Sequence, residues 1–139
     1  MIIPKVDGVL ETSLYVDDLQ KSISFYKNIF GLETLVSTDR FCALSVSDRQ
    51  VLLLFEKGAS VEASRGPGGV IPSHDGTGHL HFAFSIAKSD LENWKFWLQH
   101  NKVTIESEYH WERGGTSLYF RDSDNHLLEL ATPGLWSIY

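Results

Sequence analysis

The feature that most constrains the fold is an internal repeat, because the same order of secondary structure patterns occurs twice along the chain. The first copy is predicted as a strand at 9–16, a helix from Asp17 or Asp18 to Gly31, and strands at 32–37, 41–47 and 51–56. The second copy is predicted as a strand at 79–86, a helix from Ser89 or Asp90 to Asn101, and strands at 103–108, 116–121 and 126–131. The repeat therefore predicts two similar α+β modules.

Matching the two copies indicates which residues are equivalent. His81 corresponds to Glu11 when the first strands are matched, and Glu129 corresponds to Leu53 when the last strands are matched. The segment between the copies is rich in Gly, Ser and Pro and is interpreted as a linker and candidate lid. The predicted organisation is one domain, 1–139, with module one at 8–57, linker 58–77, module two at 78–133 and a C-terminal tail at 134–139.

Composition excludes several classes of protein. The net charge is −6, from 12 Lys and Arg against 18 Asp and Glu, and no basic cluster is present, so no nucleic-acid partner is expected. No apolar run approaches the roughly 18 residues that cross a bilayer, and the N-terminal MIIPKVDGVLE lacks the apolar region of a signal peptide. Cys42 is the single cysteine, which excludes an intrachain disulfide framework. A cytoplasmic protein without membrane contact is expected.

Three residues are candidate metal ligands: Glu11, His81 and Glu129. Successive side chains of a strand alternate between faces, so all three lie opposite the large aliphatic residues of the core. If the two sheets pair edge to edge around a pseudo-twofold axis, these faces line one cavity. Two carboxylates and one imidazole suit a divalent ion such as Mn²⁺, Fe²⁺, Zn²⁺ or Ni²⁺, with positions left for substrate or water. A solvated Glu11 is the simpler alternative, whereas an unpaired Glu129 inside the apolar LLEL segment would be costly to bury.

Three segments resemble the vicinal oxygen chelate superfamily, which contains glyoxalase I, fosfomycin-resistance enzymes, bleomycin-resistance proteins and extradiol dioxygenases. They are LYVDDLQKSISFYKNIFGLE at 14–33, GHLHFAFSI at 78–86 and GGTSLYFRDSDNHLLEL at 114–130. The resemblance implies an α+β fold of two tandem βαβββ modules, forming an open cup-shaped mixed sheet with the helices outside. It implies metal ligands at Glu11, His81 and Glu129. It also implies a metal-dependent lyase, transferase or dioxygenase that chelates an oxygen-bearing substrate and stabilises an oxyanion or alkoxide.

Two positions depart from the family's pattern. The family most often has histidine at the position of Glu11, and a carboxylate is a conservative replacement there. Leu53 occupies the position of a fourth ligand in enzymes similar to glyoxalase I, which weakens that assignment, and Glu56 lies on the wrong face to replace it. The three-ligand set is more similar to the fosfomycin-resistance and dioxygenase branches. Dioxygenases normally have two histidines and one glutamate, so in that branch His79 would have to contribute.

Other side chains are predicted to contact the substrate. Tyr119 and Ser13 are the candidate catalytic residues, since a hydroxyl can hydrogen-bond or protonate a developing oxyanion. The candidate substrate-binding residues are Tyr15, Leu53, Phe55, Trp111, Arg113 and Ser117. Either Arg113 or Arg65 could hold an anionic group. The remaining histidines outside the strand at 79–86 are interpreted as loop or surface residues: His74, His100, His110 and His126.

A metal-free small-molecule binding protein, like the bleomycin-resistance proteins, is the competing hypothesis. The apolar wall at Val51, Leu53 and Phe55 and the tryptophans near the rim favour it. In either case the expected partners are a small-molecule ligand and a second copy of the chain in a homodimer, with the cup completed within one chain or by exchange of modules. The apolar tail at 134–139 is expected to dock on the body or on a partner.

Overall fold

The chain divides into two compact units, Met1–Thr77 and Gly78–Tyr139, in a computed structural model that describes all 139 residues. Each unit contains one βαβββ module, which confirms the predicted α+β class and the repeat. The reading of the whole chain as one domain, with the module boundaries given above, stays a prediction. Neither helix is long and apolar enough to cross a membrane.

The first unit is a mixed four-stranded sheet with one helix, in the strand order β1-β4-β3-β2. Its elements are β1 (Glu11–Val16), α1 (Leu19–Phe30), β2 (Glu33–Ser37), β3 (Phe41–Val46) and β4 (Gln50–Glu56). Strands β1 and β4 pair in parallel, whereas β3 pairs antiparallel with both β4 and β2. The parallel pair requires a crossover, which α1 supplies.

Helix α1 begins and ends where the sequence predicts. The Asp18 carboxylate accepts a hydrogen bond from the Lys21 backbone N–H at 3.0 Å, and Gly31 adopts the left-handed conformation (φ 66°) that ends the helix. The helix buries Leu19, Tyr26 and Ile29.

Alternation along the strands separates a core face from an open face in the first unit. The core side chains are at most 2% exposed in β1 and β4: Leu14, Val16, Leu52 and Leu54. Each such side chain stabilises the fold by about 1.5–3 kcal/mol through burial. Cys42 is fully buried in the same core. The opposite face therefore holds the polar and aromatic residues that alternate with these positions.

The segment predicted as a linker contains a short hairpin, β5 (Ser64–Gly66) and β6 (Gly69–Ile71). Gly69 adopts a φ of 127° in its turn, a conformation that favours glycine.

The second unit has the corresponding order β7-β10-β9-β8. Its elements are β7 (His81–Ser85), a 3₁₀ turn (Lys88–Asp90), α2 (Leu91–His100), β8 (Ser107–His110), β9 (Thr116–Arg121) and β10 (Leu127–Ala131). Strands β7 and β10 pair in parallel, and β9 pairs antiparallel with β10 and β8. The core includes Leu118, Phe120, Leu128 and Leu130, each 0% exposed.

Strand register confirms the residue equivalences that the sequence predicts. In the first unit Glu11 pairs with Val51, and in the second His81 pairs with Leu127. In the sequence repeat Glu11 matches His81 and Val51 matches Leu127, so the two pairs are equivalent. By the same rule Leu53, opposite Ala43, is equivalent to Glu129, opposite Tyr119. The register of β1, β3 and β4 thus repeats in β7, β9 and β10, whereas the irregularity between Thr34 and Val36 in β2 has no counterpart in β8.

Two sequence expectations were wrong. The strand predicted at 103–108 is β8 at Ser107–His110, because its pairing with β9 begins at Ser107, opposite Tyr119. His126 is not a surface histidine but is 1% exposed: its Nδ1 accepts a hydrogen bond of 2.8 Å from the backbone N–H of Leu80, a residue distant in sequence.

Candidate metal centre and adjoining cavity

His81 is the first residue of β7, and its ring is oriented by a backbone contact. The Nδ1 atom lies 2.8 Å from the carbonyl oxygen of Leu127 on the neighbouring strand β10. A carbonyl oxygen can only accept, so Nδ1 has the proton and donates it. In the neutral imidazole, Nε2 then has a free lone pair, on a side chain that is 47% exposed. This tautomer and orientation suit a metal ligand.

Glu129 lies in the middle of β10 and is nearly buried, with its side chain 8% exposed. Its Oε2 accepts a hydrogen bond from the Ser117 hydroxyl at 2.5 Å, and the Ser117 oxygen accepts one from Trp111 Nε1 at 2.8 Å. An indole N–H can only donate, which sets the direction of both bonds. The chain of donors from Trp111 through Ser117, called here the indole relay, fixes one carboxylate oxygen of Glu129.

The other carboxylate oxygen faces His81. Glu129 Oε1 lies 3.4 Å from His81 Nε2. With the proton of the neutral ring on Nδ1, both of these atoms are hydrogen-bond acceptors. Two acceptors that face each other repel unless a proton or a cation lies with them. The pair is therefore arranged to share a positive charge.

Tyr119 lies opposite Glu129 in the β9–β10 register, and its ring centre is 6.3 Å from that of His81. Burial, followed by the negative charge of Glu129, raises the pKa of the Tyr119 phenol above its ordinary value. At neutral pH the phenol consequently remains protonated. It is able to donate a hydrogen bond or a proton, which is the role the sequence predicts for it.

A cavity of about 450 Å³ adjoins these residues within the second unit. His81, Tyr119 and Glu129 line it together with the small side chains of Ala83 and Ala131. The remaining lining residues are Ser85 and a set of large apolar side chains: Phe84, Trp111, Leu135, Trp136 and Tyr139. The tail therefore docks on the body, through a hydrogen bond of 2.7 Å from the Tyr139 hydroxyl to the Ala131 carbonyl.

Two predicted substrate-binding residues have other surroundings. Ser117 is fully buried and does not line the cavity. Its hydroxyl donates a hydrogen bond to Glu129, whereas the sequence predicts a contact with the substrate. Arg113 is exposed in the turn between β8 and β9 and is also not part of the cavity lining. Trp111 lines the cavity in addition to its hydrogen bond with Ser117.

The first unit presents its own predicted residues on the open face of its sheet. Register places Glu11, Ser13 and Tyr15 opposite Val51, Leu53 and Phe55. Glu11 and Ser13 are exposed, whereas Tyr15 and Phe55 are half-buried.

Sequence reasoning missed the role of His74 on this face. Its Nδ1 lies 2.7 Å from the Tyr15 hydroxyl, and its ring packs edge-on against Phe55 with centres 4.6 Å apart. Burial and the charge of Asp75 raise the pKa of Tyr15. Gly76 lies so close to the Tyr15 ring that a Cβ at this position would overlap the ring carbons. The segment 74–76 thus already covers the aromatic part of this face.

Within either unit, no group of three or more His, Cys, Asp or Glu side chains is placed to hold a metal ion. The second unit brings together His81 and Glu129, two of the three predicted ligands. Glu11 belongs to the first unit, at the repeat position of His81. The three-ligand set stays a prediction.

Comparison with known proteins identifies the family. The family model of the Glyoxalase/Bleomycin resistance protein/Dioxygenase superfamily matches residues 8–130. The chain belongs to this superfamily, which confirms the resemblance stated from its sequence.

Proteins similar to this chain include two transferases and a lyase. Metallothiol transferase FosB of Staphylococcus epidermidis is 32% identical over 132 residues, covering 94% of this chain and 86% of that protein. Glutathione transferase FosA of Serratia marcescens is 30% identical, covering 88% and 79%. The crystal structure of lactoylglutathione lyase from Agrobacterium tumefaciens superposes with a TM-score of 0.87 at 30% identity, covering 96% and 99%. The expectation of an enzyme of the lyase, transferase or dioxygenase kind is confirmed.

Proposed function

We propose that this protein is a metal-dependent enzyme that binds a divalent cation through His81, Glu129 and Glu11 and acts on an oxygen-bearing small molecule. The observation behind the proposal is the pair of facing acceptors, His81 Nε2 and Glu129 Oε1, 3.4 Å apart. A divalent cation relieves the repulsion between them and neutralises a carboxylate that is only 8% exposed.

The donor set fits a cation of intermediate hardness. An imidazole nitrogen and carboxylate oxygens are ligands that Mn²⁺, Fe²⁺, Zn²⁺ and Ni²⁺ all accept. Both ligands in the second unit are oriented by hydrogen bonds at the atoms that do not face the proposed ion. His81 Nδ1 is held by Leu127, and Glu129 Oε2 is held by Ser117. Such supporting contacts are typical of metal sites. Glu11 is proposed as the third ligand because it lies at the repeat position of His81, on the exposed face of β1.

When bound, the ion would coordinate substrate oxygens and stabilise negative charge that develops during the reaction. Tyr119 would donate a hydrogen bond or proton to that charge, since its raised pKa keeps the phenol protonated at neutral pH. Ser13 is the second proposed catalytic hydroxyl, exposed on β1 close to Glu11 in sequence. Tyr15, Leu53, Phe55 and Trp111 would contact the substrate body. We also propose a cytoplasmic homodimer.

Metal analysis of the purified protein tests this function. Wild type prepared without chelator should contain about one divalent ion per chain, and Glu129→Gln and His81→Ala should lose it. Glu112→Gln, an exposed carboxylate in the turn after β8, is the matched control and should retain the metal. Equal, sub-stoichiometric metal in wild type and Glu129→Gln would exclude the metal-dependent enzyme.

A metal-free binding protein is the second candidate. The observation that favours it is the cavity lining, where Trp111, Trp136 and Tyr139 lie with a single carboxylate, Glu129. Aromatic faces and a carboxylate suit an aromatic or cationic ligand held without metal. Retention of such a ligand by wild type that binds no metal would favour this candidate.

A further inference from the structure

The cavity of the second unit differs in its lining from a site built for a compact anion. Neither lysine nor arginine is among the residues that line it. Its titratable side chains are His81, Tyr119, Glu129 and Tyr139, so Glu129 is the single side-chain carboxyl group among them. A phosphonate or carboxylate entering this cavity would find no side-chain cation to pair with.

Strand register separates a polar row from an apolar row along the cavity. His81 lies at the start of β7, and Glu129 pairs with Ala83 on the same strand. The next pair on this face is Ser85 with Ala131, and Ala131 also pairs with Ser117, to which Trp111 is hydrogen-bonded. The Tyr139 hydroxyl docks at the Ala131 carbonyl. The aromatic side chains thus lie near the Ser85–Ala131 pair, two residues along the strands from the Ala83–Glu129 pair. Two residues correspond to about 6–7 Å along a strand.

Small side chains leave room for a ring at the apolar row. Ala83 on β7 and Ala131 on the neighbouring strand β10 line the cavity, and about 450 Å³ remains open. Trp111, Trp136 and Tyr139 offer aromatic surfaces that prefer to pack against flat apolar groups. Trp136 is 69% exposed, so it is a large apolar surface that a ligand would cover.

We propose that the site takes substrates with a flat, uncharged ring, bound between the aromatic side chains and directing an oxygen toward His81 and Glu129. This rests on the proposed function for the oxygen end, but binding of the ring depends on the cavity alone. It specifies a substrate class that is neither a phosphonate nor another small anion. Trp136 and Ala83 then determine specificity.

Two probes measured on metal-free protein by NMR titration test the proposal: naphthol as an uncharged flat ring and propylphosphonic acid as a compact anion. Naphthol should bind at least about tenfold more tightly, which corresponds to about 1.4 kcal/mol. Trp136→Ala should weaken naphthol binding by about fivefold or more through loss of an aromatic contact. Ala83→Leu should weaken it to a similar degree because the larger side chain fills the space for the ring. Trp97→Ala on α2, outside the cavity lining, should not.

Equal or tighter binding of propylphosphonic acid would overturn the proposal, as would naphthol affinity unchanged in both cavity variants. Both variants lie at exposed side chains, and their circular dichroism and melting temperature should match wild type. A Mn²⁺ titration of the same samples, followed by electron paramagnetic resonance, separates the two ideas. Ring binding without metal binding contradicts the proposed function and supports the ring, while metal binding without ring binding does the reverse.

Discussion

The two units repeat one backbone but present different side chains at equivalent positions of their open faces. Glu129 and Ala131 of β10 correspond to Leu53 and Phe55 of β4, and Ser85 of β7 corresponds to Tyr15 of β1. Where the first unit has large aromatic residues, the second has small ones, and the second unit contains the cavity.

The difference is one of side-chain volume and charge, since both units have the same strand order and the same pairing of the three strands that bear these residues. In the first unit Tyr15 and Phe55 contact each other and His74 from the segment 74–76. In the second unit Ala131 and Ser85 leave open volume, and Glu129 lies at the position of an aliphatic residue in the first. The same fold thus has a partly covered aromatic face in one unit and an open cavity in the other.

The largest effect on metal binding is expected when Glu129 is replaced by leucine, the residue type at the equivalent position 53 of the first unit. Glu129→Leu removes the carboxylate and should abolish detectable metal binding, measured by calorimetry with Mn²⁺. The fold should survive, because replacing a nearly buried charge by an apolar group of similar size is often neutral or stabilising. Leu53→Met in the first unit is the control and should keep both metal and melting temperature. Unchanged metal affinity in Glu129→Leu would contradict the assignment of this residue as a ligand.

Core positions should respond alike in both units. Leu54 and Leu130 are repeat equivalents, and each is 0% exposed. Truncation to alanine should lower the free energy of unfolding by about 2–5 kcal/mol at either position. Urea denaturation followed by circular dichroism measures this. Losses below about 1 kcal/mol at one of the two positions would show that the repeat does not extend to core packing.

The core and strand faces were accessible from sequence because they depend on local periodicity. Alternation at Leu14 and Val16, and the cap signals at Asp18 and Gly31, fix α1 and the open face of β1 without distant partners. The equivalence of residues in the two copies then follows from matching patterns.

Features that depend on contacts between distant residues were not accessible in this way. His126 was misread because its partner Leu80 is far from it in sequence. His74 is an exposed loop residue as predicted, but its contact with the distant Tyr15 was missed. The indole relay was missed for the same reason, since Trp111 lies in a turn whose course the strand pattern does not determine. Of the predicted ligands, the pairing of His81 with Glu129 could be inferred from the sequence, but the tautomer of His81 could not.

Breaking the indole relay should have an intermediate effect, and the first unit offers no counterpart to it. Phe41 stands at the position of Ser117, so the relay is specific to the second unit. Ser117→Ala leaves Glu129 Oε2 and Trp111 Nε1 without their shared partner. Loss of such a supporting contact typically weakens metal affinity by about 10–100-fold, which a competition titration with Mn²⁺ should detect. Ser107→Ala, exposed at the start of β8, is the control, and an equal affinity in both variants would show that the relay does not position Glu129.

The smallest effect concerns Tyr15 and Tyr119, whose pKa values are raised by burial in both units and by a different carboxylate in each. Burial comes first for both, but the added negative charge is Asp75 for Tyr15 and Glu129 for Tyr119. A raised pKa means that the folded state holds the phenol proton more tightly than the unfolded state. This stabilisation is present below the ordinary pKa of 10.0 and is lost as pH rises through the folded-state value.

Glu129→Gln should lower the pKa of Tyr119 toward its ordinary value and leave that of Tyr15 raised, whereas Asp75→Asn should do the opposite. Ultraviolet titration of phenolate absorbance in Tyr15→Phe and Tyr119→Phe backgrounds assigns each ionisation. A single charge removal that shifts the pKa of both tyrosines equally would contradict the assignment of a different carboxylate to each tyrosine.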